Sequence, residues 1–116
     1  MFCVDEIELE AQTLTVRCSG FFGRGSEGAG DGGKLRSSID SWLDGNPATQ
    51  AKQIVIDFRD VDYVWGDWPV SAVLPIVKQR GILEIRYLAS PDNRQALEGL
   101  IEACNITCFG VQADQA

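Results

Sequence analysis

The chain has 116 residues, enough for one domain around one core, and its 45% apolar and 23% charged composition is that of a globular protein. A formal net charge of −7 excludes non-specific nucleic-acid binding and docking on an anionic membrane leaflet, both of which need Lys and Arg to meet phosphate. The absence of histidine excludes Ser-His-Asp and Cys-His catalysis within the chain and removes the commonest zinc ligand.

Taken in order, Cys3 to Glu10 alternates, with Ile7 and Leu9 on one side and Glu6, Glu8 and Glu10 on the other, which predicts a half-exposed strand. Ala11-Gln12 makes a short turn. Thr13 to Phe22 alternates again through Leu14, Val16 and Cys18, so the two strands form an antiparallel hairpin. Residues 20–33 hold seven glycines in fourteen positions, and a segment with so much backbone entropy and so little to bury predicts a flexible loop. Lys34 to Asp44 carries Leu35, Ile39, Trp42 and Leu43 on one helical face and is stopped by Asp44-Gly45-Asn46-Pro47, followed by a polar connector.

Gln53 to Phe58 has no polar face before Asp57, as expected of a central strand covered on both sides. Asp60 to Trp68 is a turn. Pro69 to Gln79 places Val70, Val73, Leu74 and Val77 on a helical face, with a bend or break expected at Pro75, whose ring removes one backbone hydrogen bond. After Gly81, Ile82 to Leu88 alternates as a strand. Ser90 caps a helix that opens with Pro91 and buries Ala96, Leu97, Leu100, Ile101 and Cys104. Thr107 to Gln112 reads as a last strand before a frayed tail. The order ββαβαβαβ predicts an α/β domain over residues 1–116, with a mixed sheet of four to five strands and helices packed on it.

Cys3, Cys18, Cys104 and Cys108 form no CxxC pair, and MFCVDEIELE has neither the basic region nor the apolar stretch of a signal peptide. A cytoplasmic setting with reduced cysteines used as small apolar residues is therefore expected. No apolar run approaches the ~20 residues of a membrane span, so no membrane insertion is expected.

Three stretches are candidates for function. Gly23-Arg24-Gly25-Ser26-Glu27-Gly28 fits GxGxxG, but the helix predicted to follow begins several residues later and Glu27 would repel phosphate; Gly28 to Lys34 fits GxxxxGK, but Leu35 stands where a Walker loop needs Ser or Thr for magnesium. A nucleotide-binding module using residues 20–34 is accordingly an alternative reading. The turn carries Asp60, Asp62 and Asp67, which read either as a carboxylate cluster or as turn formers and a helix N-cap. It also carries Trp65 and Trp68, of which at least one is expected to lie on the surface as an interface anchor. The acidity of the chain suits a protein partner with a basic patch.

IVIDFRDVDYV, the helix ending KQRG, the stretch ILEIRYLASPDNRQALEGL and the closing NI resemble, over nearly the whole chain, the STAS domain of bacterial anti-sigma-factor antagonists and sulfate-transporter tails. In that family the strand leads to D-[ST]-S-G, whose hydroxyl is phosphorylated by a partner anti-sigma kinase. The corresponding residues here are Trp65, Gly66, Asp67 and Trp68, so Gly66 stands at the acceptor position and no phosphorylation is expected there. Asp67 beside it would carry a fixed negative charge. The resemblance implies a non-catalytic regulatory domain, without cofactor or metal, that docks the face of this turn onto a protein such as an anti-sigma factor or a transporter subunit. A carrier of a small apolar ligand is a further alternative, since lipid-binding domains share a related architecture.

Overall fold

The computed structural model describes residues 1–46, 50–103 and 109–113. Strands β1 (Cys3–Glu10), β2 (Thr13–Gly20), β3 (Gln53–Val61), β4 (Glu84–Ala89) and β5 (Phe109–Ala113) lie side by side in that order in one five-stranded sheet. The β1–β2 pair is antiparallel and every other pair parallel. The hairpin turns through Ala11 and Gln12, both at positive φ (50° and 66°) as a two-residue primed turn requires. The Gln12 carbonyl then accepts from the Lys52 N–H at 2.9 Å, which starts β3 in register with β2.

Helices α1 (Gly25–Asp44), α2 (Trp68–Ser71), α3 (Leu74–Arg80) and α4 (Pro91–Ala103) make the connections. The helical segment expected over 69–79 is broken, as its proline implies. Pro75 occupies the first turn of α3, where its missing N–H leaves no bond unmade, and Gly81 ends α3 at φ 66°, a left-handed position that suits glycine.

One core fills one side of the sheet. Registered neighbours share a face, so Leu14, Ile54 and Ile85 form one buried row and Val16, Ile56 and Tyr87 the next, joined by Leu35, Ile39, Val70, Ile76 and Leu97 from the helices. The opposite face is a charged surface. Here Thr15, Val55 and Arg86 share a row, as do Glu6, Arg17, Asp57 and Leu88. The expectation that β3 is covered on both sides is thus corrected: Gln53, Val55 and Asp57 all belong to the face that no described helix covers, and Val55, alone between two polar residues of β3, does not make that face apolar. Asp57 is nonetheless buried, held by Arg59 through Nε at 2.9 Å and Nη2 at 2.8 Å.

The glycine-rich loop expected over 20–33 is the larger correction. Only residues 21–24 connect β2 to α1, and residues 25–33 are the first turns of that helix. Gly28 and Gly32 are buried at (i, i+4) spacing and face α2. A methyl on Gly32 would sit 2.9 Å from the Ala72 Cβ and 3.2 Å from the Trp68 Cβ, and one on Gly28 would run into the Gly23 carbonyl. The glycines therefore leave a trough along α1 in which α2 lies, and that packing overrides their poor helix propensity. Pro47, Cys104, Cys108 and residues 114–116 of the tail expected over 113–116 lie outside the described residues, while Ala113 ends β5 rather than opening the tail.

Candidate protein-interaction surface

The turn after β3 is built by a second crossing beyond the sheet. The Asp62 N–H donates to the Gly20 carbonyl at 2.6 Å and the Phe22 N–H to the Tyr63 carbonyl at 2.8 Å, so the chain leaving β2 runs beside the chain leaving β3. Phe22 turns inward onto Phe2 and Phe58, with ring centroids 4.9 and 6.3 Å away. Phe21 turns outward and meets Tyr63 edge-on at 6.5 Å; Tyr63 in turn stacks on Trp65 at 6.2 Å. The guanidinium of Arg24 lies 3.7 Å over the Trp65 ring. Gly66, at φ 66°, reverses the chain. Asp67 then takes the N-cap position of α2, and its carbonyl accepts from the Val70 and Ser71 N–H groups at 3.0 and 2.8 Å while its carboxylate makes no cap bond. Trp68 follows, laid along the glycine trough of α1.

Phe21, Tyr63, Trp65 and Trp68 are 39, 57, 38 and 39% exposed, so four large aromatic residues of one turn region stand in solvent. Chance exposure of single apolar side chains needs no explanation, but a contiguous set does. Both tryptophans sit at the surface. Phe21, Tyr63 and Arg24 escape the sequence reading; the signal was the Phe21-Phe22 pair directly after an alternating strand, one ring of which must face outward.

Two buried side chains fix the turn's ends through hydrogen bonds. Asn93, near the start of α4, is buried and its Nδ2 donates to the carbonyls of Val61 at 2.7 Å and Asp62 at 3.4 Å. The Tyr87 hydroxyl, in the core, donates to the Pro69 carbonyl at 2.6 Å. Tyr87→Phe is expected to lower stability by about 1–2 kcal/mol and Asn93→Ala by about 1–3 kcal/mol in a urea titration, since each strands a buried acceptor.

The surroundings are acidic. Glu27, Asp60, Asp62 and Asp67 are exposed and, among the described residues, make no ion pair. Asp31 accepts the Gly23 N–H at 2.9 Å. Among the described residues, no three His, Cys, Asp or Glu side chains converge as metal ligands. On the open face beside the site, burial opposes the charge of Asp57, but the hydrogen bonds from Arg59 outweigh it and hold the carboxyl below its usual range. Its stabilising contribution is therefore full above the ordinary carboxylate value of about 4 and is lost as pH falls through the lower folded value. Asp57→Asn is expected to flatten the acid limb of a stability–pH curve below about pH 4 and to leave the shape of the neutral region unchanged. Burial pushes the Cys18 thiol well up, as suits a core residue.

The glycine motifs do not form a phosphate cradle. GAGDGGK lies within α1, where its N–H groups serve the helix, and the Lys34 Nζ donates to the Phe2 carbonyl at 2.9 Å. The helix does begin inside Gly23–Gly28, earlier than expected, but Glu27 and Asp31 crowd Gly23 and put negative charge where a phosphate would sit. A cleft of about 490 Å³ between the ends of α1 and α3 is lined by Asp44, Lys52 and Arg80, and the Arg80–Asp44 bridge at 2.8 Å leaves it ill-suited to an apolar ligand. No helix among the described residues is long and apolar enough to cross a membrane.

No family model matches the chain and no curated protein matches it in sequence. Among solved structures, that of the anti-sigma factor antagonist SpoIIAA in its unphosphorylated form superposes with a TM-score of 0.55 at 14% identity, covering 100% of this chain and 89% of that one. The likeness is one of fold, and it is the STAS-like fold that IVIDFRDVDYV and the segments after it suggest.

Proposed function

We propose that this chain is a non-catalytic regulatory domain that works by docking the turn Trp65–Trp68 and its aromatic neighbours onto a partner protein. The observation that carries this reading is the exposed chain of rings Phe21–Tyr63–Trp65, with Trp68 exposed three residues further on, on a fold shared with an anti-sigma factor antagonist. Tyr and Trp are the residues that dominate interface energetics, and here they are presented by a turn anchored at both ends. The position that the family resemblance assigns to the phosphoacceptor is Gly66, which has no hydroxyl, and the carboxylate of Asp67 next to it makes no cap hydrogen bond and, among the described residues, no ion pair. The domain would thus act without a phosphorylation switch at that position, with Asp67 supplying a constant negative charge. An anti-sigma factor, a related kinase-like protein or a transporter subunit is the class of partner this implies, in a cytoplasmic setting.

The test compares proteins captured from native extract by wild type and by the folded Tyr63→Ala/Trp65→Ala variant. The expected result is a partner retained by wild type and lost at least about tenfold in the variant, as removal of two hot-spot rings demands. Undiminished capture would remove the surface from consideration.

A further inference from the structure

We propose that the aromatic surface receives an arginine-bearing segment of its partner, and that a partner guanidinium exchanges with Arg24 on the face of Trp65. This rests on the docking reading above and adds the chemistry of what docks.

The two segments that build the surface, residues 20–31 and 59–68, contain the acids Glu27, Asp31, Asp60, Asp62 and Asp67 and only two bases, Arg24 and Arg59. Arg59 is committed to Asp57 at 2.8 Å. Arg24 has no acid partner among the described ion pairs and rests on Trp65 instead. An exposed ring system rimmed by carboxylates attracts cations twice over, through the quadrupole of the rings and through the surrounding charge. The chain already fills one such position with its own guanidinium. Arg24 precedes the first residue of α1 and is exposed, so its side chain can leave the ring without disturbing the helix. Tyr63, the most exposed ring, stacks on Trp65 and extends the platform for a second cation or for the stem of the first. Arginine is favoured over lysine because its planar group stacks on a ring while its N–H groups reach the flanking carboxylates. An acidic or phosphorylated segment would meet repulsion from Asp60, Asp62 and Asp67.

The test uses short glycine-serine peptides of one length carrying arginine, lysine, glutamate or no charge, titrated against the full chain by tryptophan emission and by the indole N–H signals of Trp65 and Trp68. The arginine peptide should bind most tightly, the lysine peptide less, and the others not measurably. Tyr63→Ala/Trp65→Ala leaves the net charge unchanged and should weaken the arginine peptide about tenfold. Arg24→Lys keeps the charge but gives up the planar stack, and should strengthen arginine-peptide binding about threefold by weakening the internal contact that competes for the ring. Equal binding by wild type and the double variant would mean adsorption to an acidic surface and would overturn the proposal, as would Arg24→Lys leaving the affinity unchanged or lowered. If the glutamate or uncharged peptide is the one bound, and is lost in the double variant, the surface docks a partner of another chemistry: this proposal falls while the docking reading stands.

Discussion

Replacing Gly28 and Gly32 by alanine is expected to destabilise the protein by about 1–3 kcal/mol at each position, whereas alanine at Gly30 or Gly33 is expected to stabilise it by about 0.5–1 kcal/mol each. All four lie within α1 and all four substitutions improve helix propensity, so propensity alone predicts four gains. The opposite signs come from what each new methyl would meet. At Gly30 and Gly33 there is open space; at Gly32 there are Ala72 and Trp68, and at Gly28 there are the Gly23 carbonyl and the Trp68 ring. Thermal unfolding of the four single variants measures this directly, at roughly 4 °C per kcal/mol. Four gains would mean that the glycine stretch is not packed in a trough and that Trp68 is free of α1. The effect reaches the proposed surface, because α1 sets the height at which Trp68 stands.

Phe58→Ala is expected to cost about 3–5 kcal/mol, the largest loss from any single truncation near the surface. Phe58 is fully buried in the second half of β3, with Phe2 at 6.1 Å, Phe22 at 6.3 Å and Tyr87 at 5.6 Å between ring centroids. Its removal leaves a cavity ringed by aromatic groups that cannot collapse together, since Phe22 is tied through its N–H to Tyr63 and Tyr87 through its hydroxyl to Pro69. Phe21→Ala, one residue from Phe22 but facing solvent, should fall within about 0.5 kcal/mol of wild type. A urea titration of the pair separates the support of the surface from the surface itself. A small loss at Phe58, or a large one at Phe21, would reverse the assignment of which rings hold the fold and which face outward.

Much of the architecture was legible because its determinants are local. The alternation in IELE, TLTVRC and ILEIRYL gives the strands, and Pro75, Gly81 and Ser90-Pro91 mark breaks and starts that hold whatever surrounds them. The first half of α1 was not legible. Its glycines describe an unstructured loop until Trp68 and Ala72, some forty positions away, are known to lie against two of them. Coverage of the sheet was misread for a related reason: Ile54, Val55 and Ile56 are consecutive apolar residues, yet Val55 belongs to an open face whose character is set by Arg17, Arg86 and Glu8 on other strands.

At the surface, Trp65 and Trp68 were recognisable as too many large rings for one polar turn. Tyr63 stands in the same turn, two residues before Trp65, whereas Phe21 and Arg24 join them only through the paired chain ends at Gly20–Asp62 and Phe22–Tyr63, a tertiary fact that no window of sequence contains. The Asp67 N-cap was half right. The residue holds the position, but the helix it opens takes its first bonds from the backbone carbonyl rather than from the carboxylate.

The most direct test of the docking surface is a photo-crosslinking scan in the native cell, with a benzophenone side chain placed singly at positions 21, 63 and 65 and, as controls, at positions 15 and 86 on the open sheet face and at exposed position 83. One discrete crosslinked species is predicted to form from 21, 63 and 65 and not from the controls. A species formed from positions 15 and 86, with none from 63 and 65, would contradict the docking reading and move the interaction to the other side of the sheet.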